Sequence, residues 1–402
     1  MSMNNFLFMI FGGYVLYGLS GNLLNSVWPE VANDISAEVA LLGIVATFCN
    51  LASGITSALV HRIRRHLGTN RTISIGLLCM TICLIMFCFS TNIVTIGIAF
   101  VILGIGNAIV DIASNSYIVK AYDAKVGSML HACWGIGSAV GPIIMVFAMT
   151  FLKSYRLGFA IGAGFNILVI LILRFMKRNW EAHKGELSEE LVKLHSVSET
   201  EKTSLIKFSD VIKIKLVPVV MICFFFANGF NGLINTWIAT IFVTQRNISV
   251  VEGANTATVF FATLTITRII LGFIAGNSKT KTVIIRGIII SLLGVAMMFV
   301  QEKNIMFIYA NAMLLGIGIA PLIPFLIHYL KELFGSDIIG AIISYCAVFS
   351  MTGVAVTSLV ATFIVRTFGV GVIQWFIILI VIVLLVLYLY IVGKVENKKS
   401  EG

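Results

Sequence analysis

Charge is what this chain has least of. Only 11% of its 402 residues are Asp, Glu, Lys or Arg, against 59% hydrophobic. A soluble domain of that length needs far more polar surface to face water, so that class is excluded. Long polar segments are missing too, with one exception from Lys177 to Lys215. Cysteine is sparse. Its seven thiols (Cys49, Cys79, Cys83, Cys88, Cys133, Cys223 and Cys346) all fall in apolar stretches and outline neither a disulfide framework nor a metal site. They read as small packing residues. The tail before Phe6 has no basic region, and the first apolar stretch is long enough to span a bilayer, so no cleavable signal peptide is expected. No H-E-x-x-H pair lies within an apolar stretch, which leaves a membrane-embedded metalloenzyme without its usual chemistry.

What is present is apolar sequence in lengths that fit a membrane. A hydrocarbon core of about 30 Å takes roughly 20 residues of helix. Twelve such segments follow one another, at residues 6–28, 40–60, 72–89, 93–119, 126–152, 157–176, 216–243, 253–276, 283–300, 305–330, 338–365 and 370–392. The formal charge of +10 is distributed by side. With the N-terminus in the cytoplasm, the inner loops hold Arg62, Arg64, Arg65, Arg71, Lys120, Lys125, the basic residues of 174–215, Lys279, Lys281, Arg286, Lys331 and the C-terminal lysines. The outer loops hold Lys153, Arg156, Arg246, Lys303 and Arg366. That asymmetry follows the positive-inside rule and puts both termini in the cytoplasm. The basic balance is therefore topology, and no nucleic-acid partner is expected.

The polar segment divides the chain into six spans and six spans: a first bundle at 1–176, a cytoplasmic linker at 177–215 with room for a short surface helix, and a second bundle at 216–402 ending in a short tail. The halves repeat. LGIG at Leu103–Gly106 recurs at Leu315–Gly318, and Tyr117 matches Tyr329, both at an offset of 212. Gly127 matches Gly340 and Cys133 matches Cys346 at 213, and LLNSVW (Leu23–Trp28) has a counterpart in LINTW (Leu233–Trp237). A parallel repeat of two six-helix halves is the architecture of major facilitator transporters, which bind solute at the midplane between the halves. The expected fold is an all-α membrane protein of twelve transmembrane helices in two pseudo-symmetric six-helix bundles.

Against this apolar background a few polar residues stand out. Asp111 lies in the middle of the fourth span, with Asn107 and Asn115 four residues to either side and Ser114 on the same helical face. Burial penalises the charged form of a carboxyl, which suits Asp111 to taking up a proton; the bland alternative is a structural acid tied to neighbouring amides. His131, near the start of the fifth span, lies at a comparable depth and either pairs with Asp111 or bonds a backbone carbonyl. Asn22 and Asn25 share a face of the first span with Tyr14 and Gly18, and the seventh carries Asn228, Asn231 and Asn235. Amides donate and accept, which suits a neutral polyhydroxy ligand; their other use is as glue between helices. Trp134 and Trp237 offer flat surfaces for a sugar ring. Arg268, in the eighth span, is a candidate charge partner for Asp111 or an anion receptor, or snorkels to the interface. His328 reads as interfacial, three residues before Lys331. Pro321 and Pro324 are expected to break the tenth helix.

Three stretches resemble a family: GLSGNLLNSVWPEV (Gly18–Val31), IVDIASNSYI (Ile109–Ile118) and SMLHACWGIG (Ser128–Gly137). They are similar to helices one, four and five of the fucose–proton symporter branch of the major facilitator superfamily. In that branch an acid on the fourth helix, followed four residues later by an asparagine, is the proton-coupling site, and the resemblance assigns these places to Asp111 and Asn115. A second family acid, on the first helix, falls on Asn25. The fifth-helix glutamine and asparagine fall on His131 and Trp134. The superfamily motif between helices two and three keeps Gly68 and Arg71 but has Arg65 in place of its acid.

The expected function is a secondary transporter that brings a small neutral polar solute, a sugar, across the plasma membrane (a bacterial inner membrane) by proton symport. Asp111 and His131 would handle the proton, and Asn22, Asn25, Asn107, Asn115, Trp134, Asn231, Asn235 and Trp237 the solute. No cofactor or metal is expected beyond the coupling ion, with sodium the alternative to the proton, and the chain is expected to act as a monomer. A drug or metabolite exporter of the same fold ranks second, a non-transporting receptor or membrane-embedded enzyme lower.

Overall fold

In hydrocarbon every backbone N–H and C=O must find its partner within the protein, so a single apolar run of this length crosses as a helix. The computed structural model describes residues 2–121, 124–180, 208–274, 280–334 and 336–400, and among them are helices and no strand. In chain order they are α1 (Ser2–Asp34), α2 (Leu41–Leu67), α3 (Thr69–Phe89), α4 (Ile93–Ala121), α5 (Ala124–Phe151), α6 (Tyr155–Trp180), the short α7 (Phe208–Val211), α8 (Val217–Arg246), α9 (Val250–Ile274), α10 (Thr280–Met297), α11 (Ile305–Ile319), α12 (Leu322–Leu333), α13 (Ser336–Phe368) and, after a single 3₁₀ turn at Val370–Val372, α14 (Ile373–Ser400). Among the described residues twelve candidate spans are long and apolar enough to cross a membrane, one for each segment expected from the sequence. Residues 181–207 of the expected linker lie outside the described residues.

Local chemistry explains several ends. Ser249 and Glu252 form a reciprocal capping box at the start of α9: the Ser249 N–H donates to Glu252 Oε2 (2.8 Å) and the Glu252 N–H to Ser249 Oγ (3.2 Å). Asn304 caps α11, its side chain accepting from the Met306 N–H at 2.9 Å. The tenth span is broken, as expected, but by one proline. α11 ends at Ile319, the chain turns at Ala320 and Pro321, and α12 begins at Leu322. Pro324 falls in the first turn of α12, where a missing N–H leaves no helical bond unmade.

The chain divides into two compact units, one of Met1–Ala37 with Phe48–Lys202, the other of Glu38–Thr47 with Thr203–Gly402. The second unit thus takes in the first residues of α2.

In the first unit α1 packs along α5 at backbone contact. A Cβ on Gly18 would lie 2.0 Å from the Trp134 carbonyl oxygen, and one on Gly137 1.8 Å from that of Val15. Only glycine permits this approach, which replaces the hydrophobic drive that lipid does not supply between helices. Around the crossing, Asn22 Nδ2 donates to Ser138 Oγ (3.1 Å) and Asn166 Nδ2 to Ser20 Oγ (3.2 Å), joining α1 to α5 and α6. At the end of the unit where α1 finishes, Asp34 Oδ2 accepts from Arg156 Nη2 (2.6 Å) and from the Tyr155 hydroxyl, and Arg156 Nη1 donates to the Cys88 carbonyl (3.0 Å). The ends of α1, α3 and α6 are fastened there.

The second unit repeats the arrangement with its own first and fifth spans. A Cβ on Gly353 of α13 would meet the Phe225 carbonyl oxygen of α8 at 2.1 Å, and one on Gly229 of α8 would meet Thr357 of α13 at 2.8 Å. The internal repeat seen in the sequence is therefore a repeat of helix contacts as well. Arg246 closes α8 from inside, almost without exposure, its Nη2 donating to the Met298 carbonyl at 2.5 Å just past the end of α10, where a cation meets the negative end of the helix dipole.

Candidate functional site

A carboxyl inside a bundle must find donors, and Asp111 finds them on two helices. Asn115, one turn further along α4, donates from Nδ2 to Asp111 Oδ1 at 2.8 Å. Tyr14 of α1 donates its hydroxyl to the same oxygen. The triangle closes through a bond from Asn115 Nδ2 to the Tyr14 hydroxyl oxygen at 2.5 Å. Tyr14 and Asn115 thus both bond Oδ1, and neither of these two reaches Oδ2. Tyr14 is fully buried, whereas Asp111 and Asn115 are half-buried and so remain partly open to an approaching ligand.

Aromatic rings extend the cluster. The Tyr14 ring stands edge-on to Tyr17 (centroids 5.6 Å apart) and to His131 of α5 (5.9 Å), and Tyr17 lies 6.4 Å from Trp134. His131 is exposed and within electrostatic reach of Asp111, while Tyr17 and Trp134 are half-buried. Asn107, one turn before Asp111, and Asn25 are half-buried, each with a buried Oδ1 that no protein group bonds. Around Asp111 the first unit therefore combines one acid, one imidazole, two aromatic surfaces and the spare acceptor of Asn107, with that of Asn25 about three turns further along α1 from Tyr14.

Asn22 has a different place from the one expected of it. It is buried, and its Nδ2 donates to the Gly18 carbonyl (3.0 Å) as well as to Ser138, so its amide holds α1 against α5. Asn22→Leu should lower the thermal stability of the purified protein by about 1 kcal/mol, the worth of a lost buried bond, and leave solute affinity unchanged. A weakened affinity in a normally stable variant would return Asn22 to the solute site.

In the second unit Asn231 and Asn235 lie one turn apart on α8, half-buried, each with a buried and unbonded Oδ1. Asn228 donates to the Ser350 carbonyl at 3.4 Å, a bond between α8 and α13. Trp237 has no exposed surface. As placed, its indole fills the interior of the unit and presents no face to a ring. The reason is helical phase: Trp237 lies two residues after Asn235, about 200° around the helix. Arg268 is half-buried on α9, its Nε donating at 3.4 Å to the carbonyl of Ala320, at the break between α11 and α12. It helps satisfy the backbone that the proline turn leaves open. His328 is exposed. The seven cysteines are all free thiols, and among the described residues no group of three or more His, Cys, Asp or Glu is placed to hold a metal ion.

Tyr14 is the residue that the sequence did not offer as part of the site. A signal existed, since it shares a face with Gly18, Asn22 and Asn25, but a tyrosine in an apolar span names no partner.

Comparison with known proteins agrees with this architecture. The family model described as Major Facilitator Superfamily matches residues 10–277 and 220–402. No curated protein matches the chain. Among solved structures, a D-xylose–proton symporter superposes with a TM-score of 0.73 at 14% identity, covering 97% of each chain. The nucleoside transporter NupG gives 0.75 at 13% identity, covering 95% of this chain and 98% of its own. A peptide transporter in complex with sulfate gives 0.72 at 12%, covering 98% of this chain and 94% of its own. Identities this low establish a shared fold only.

Proposed function

The chain belongs to the major facilitator superfamily, and on that premise we propose that it carries a small neutral polyhydroxylated solute, a sugar in the first instance, across the plasma membrane together with a proton. It is a multi-pass membrane protein of a transporter family, so a small-molecule substrate and a lipid surround follow from the family and fold. The reading of symport rests above all on Asp111, a half-buried carboxyl with its donors gathered on one oxygen and an imidazole nearby. Such a group can be charged in one state of the carrier and neutral in another. The basic residues support an orientation with both termini in the cytoplasm.

The solute class is supported by side chains of each unit taken by itself. In the first, half-buried Trp134 and Tyr17 suit the C–H face of a sugar ring, and the amide oxygens of Asn25 and Asn107 lack protein donors that hydroxyls would supply; in the second, those of Asn231 and Asn235 do. Two of the similar structures are a D-xylose symporter and a nucleoside transporter. Pentoses and nucleosides both carry vicinal hydroxyls, so both belong in the first screen. The decisive experiment is uptake of labelled D-xylose, L-fucose and uridine into proteoliposomes under an imposed pH difference. Accumulation of one of them that collapses when the pH difference is abolished supports the proposal. Accumulation driven by sodium alone, or only downhill flux, overturns the proton coupling.

Replacing Asn25 or Asn235 by leucine should weaken binding by about 1–3 kcal/mol, a drop of roughly 5- to 150-fold, for each buried hydroxyl left without its partner. Equilibrium binding of the transported sugar to the purified variants measures it. Unaltered affinity in both, with normal melting, would take these residues out of the site.

A further inference from the structure

We infer that Tyr14 is the positioning residue of the coupling acid: by donating its hydroxyl to Oδ1 of Asp111 from a different helix, it fixes the carboxyl so that Oδ2 alone gains and loses the proton. The inference deepens the proposed function and rests on Asp111 being the group that titrates.

Three observations carry it. The donors are convergent: Tyr14 and Asn115 both reach Oδ1, and neither reaches Oδ2. An oxygen accepting two hydrogen bonds is the poorer place for a proton, because protonating it would set an O–H against two existing donors. The bond is also cross-helical, joining α1 to α4 across 97 residues of chain, whereas Asn115 sits on the same helix as the acid. Finally, Tyr14 is held rigidly. It is fully buried, its ring is braced edge-on by Tyr17 and His131, and it lies one turn before Gly18, where α1 meets the α5 backbone. The hydroxyl therefore cannot follow the carboxyl if α1 and α4 shift against each other, and such a shift changes the bond.

The proton balance is simple. Water on one side supplies a proton to Oδ2, forming the O–H bond of the neutral acid. Oδ1 becomes the carbonyl oxygen and keeps both bonds, and the reverse step returns the proton to water. Tyr14 remains a phenol throughout and transfers nothing. The titratable groups around the carboxyl are Tyr14 and Tyr17 on α1, His131 on α5 and, beyond Tyr17, Cys49 on α2. Among the described residues none of the four supplies a second carboxylate, and the loss of a band in Asp111→Asn assigns it to Asp111.

The test reads the carboxyl directly and needs no solute. Infrared difference spectra of the purified, lipid-reconstituted protein are recorded as pH is varied, and the Asp111 C=O band is identified by its absence in Asp111→Asn. In Tyr14→Phe, which keeps the ring and its contacts, the band should move to higher wavenumber, because the carbonyl oxygen accepts one bond fewer. Its titration midpoint should be displaced by about one pH unit or more. Should Tyr14→Phe fail the melting control, a fluorinated tyrosine at position 14, a stronger donor in the same space, should move the band to lower wavenumber. A band and midpoint unchanged from the parent protein would make Tyr14 a packing residue and overturn the inference, with the coupling role of Asp111 intact. If instead no titrating band disappears in Asp111→Asn, the coupling role itself fails, and the inference with it.

Discussion

Asp111→Asn should abolish gradient-driven accumulation while sparing exchange of solute across the membrane. The amide has the shape of the protonated acid and is permanently neutral, so the carrier loses its means of binding a proton but keeps the uncharged form in which it can turn. Each unit of pH difference stores about 1.4 kcal/mol, a tenfold accumulation for one proton per solute. In the variant that tenfold factor should fall to one, with counterflow of preloaded solute near the parent rate. The cluster explains why exchange should survive. Oδ1 accepts from Tyr14 and Asn115, and the asparagine carbonyl oxygen can accept both bonds in its place. Asp111→Glu should retain part of the coupling with a shifted pH optimum, because it moves the carboxyl by one methylene from those donors. Accumulation against a gradient by Asp111→Asn would make the acid structural and place coupling elsewhere.

The second large effect is on folding. Gly137→Leu should cost about 3 kcal/mol or more and sharply reduce the yield of folded protein. Even its Cβ would lie 1.8 Å from the Val15 carbonyl oxygen, and backbone is the neighbour least able to give way. Gly18→Leu should behave alike, meeting the Trp134 carbonyl oxygen at 2.0 Å. Gly97→Ala is the control: nothing lies within 4 Å of its Cβ, and alanine in a helix interior should stabilise by about 0.5–1 kcal/mol. Thermal melting of the three variants in one detergent measures the contrast. If Gly137→Leu melts like Gly97→Ala, the close contact of α1 with α5 is wrong. The site depends on this contact as well, because the same crossing sets the height and rotation of α1, from which Tyr14 reaches Asp111.

The sequence by itself determined the spans, their number and their pairing into halves, because each follows from length or repetition along the chain. Twenty apolar residues are a helix across a bilayer whatever surrounds them, whereas which proline breaks a helix is not local: Pro321 does, while Pro29 and Pro142 lie inside continuous helices. Asp111 could be singled out in the same way, since the cost of a buried carboxyl is local and large. Only the tertiary structure decided which way each helix turns. In a span that is apolar on every side, hydrophobic periodicity does not distinguish the face toward lipid from the face toward neighbours. Burial of Asn22 and Trp237 within their units was therefore not legible beforehand. For the same reason Tyr14 gave no sign of its partner, 97 residues away. Rotation about the helix axis is set by where glycines let two backbones touch and by which amides then meet across the contact, as Gly18 and Gly137 do for α1 and α5. Those contacts join residues remote in sequence, and no window along the chain contains both partners.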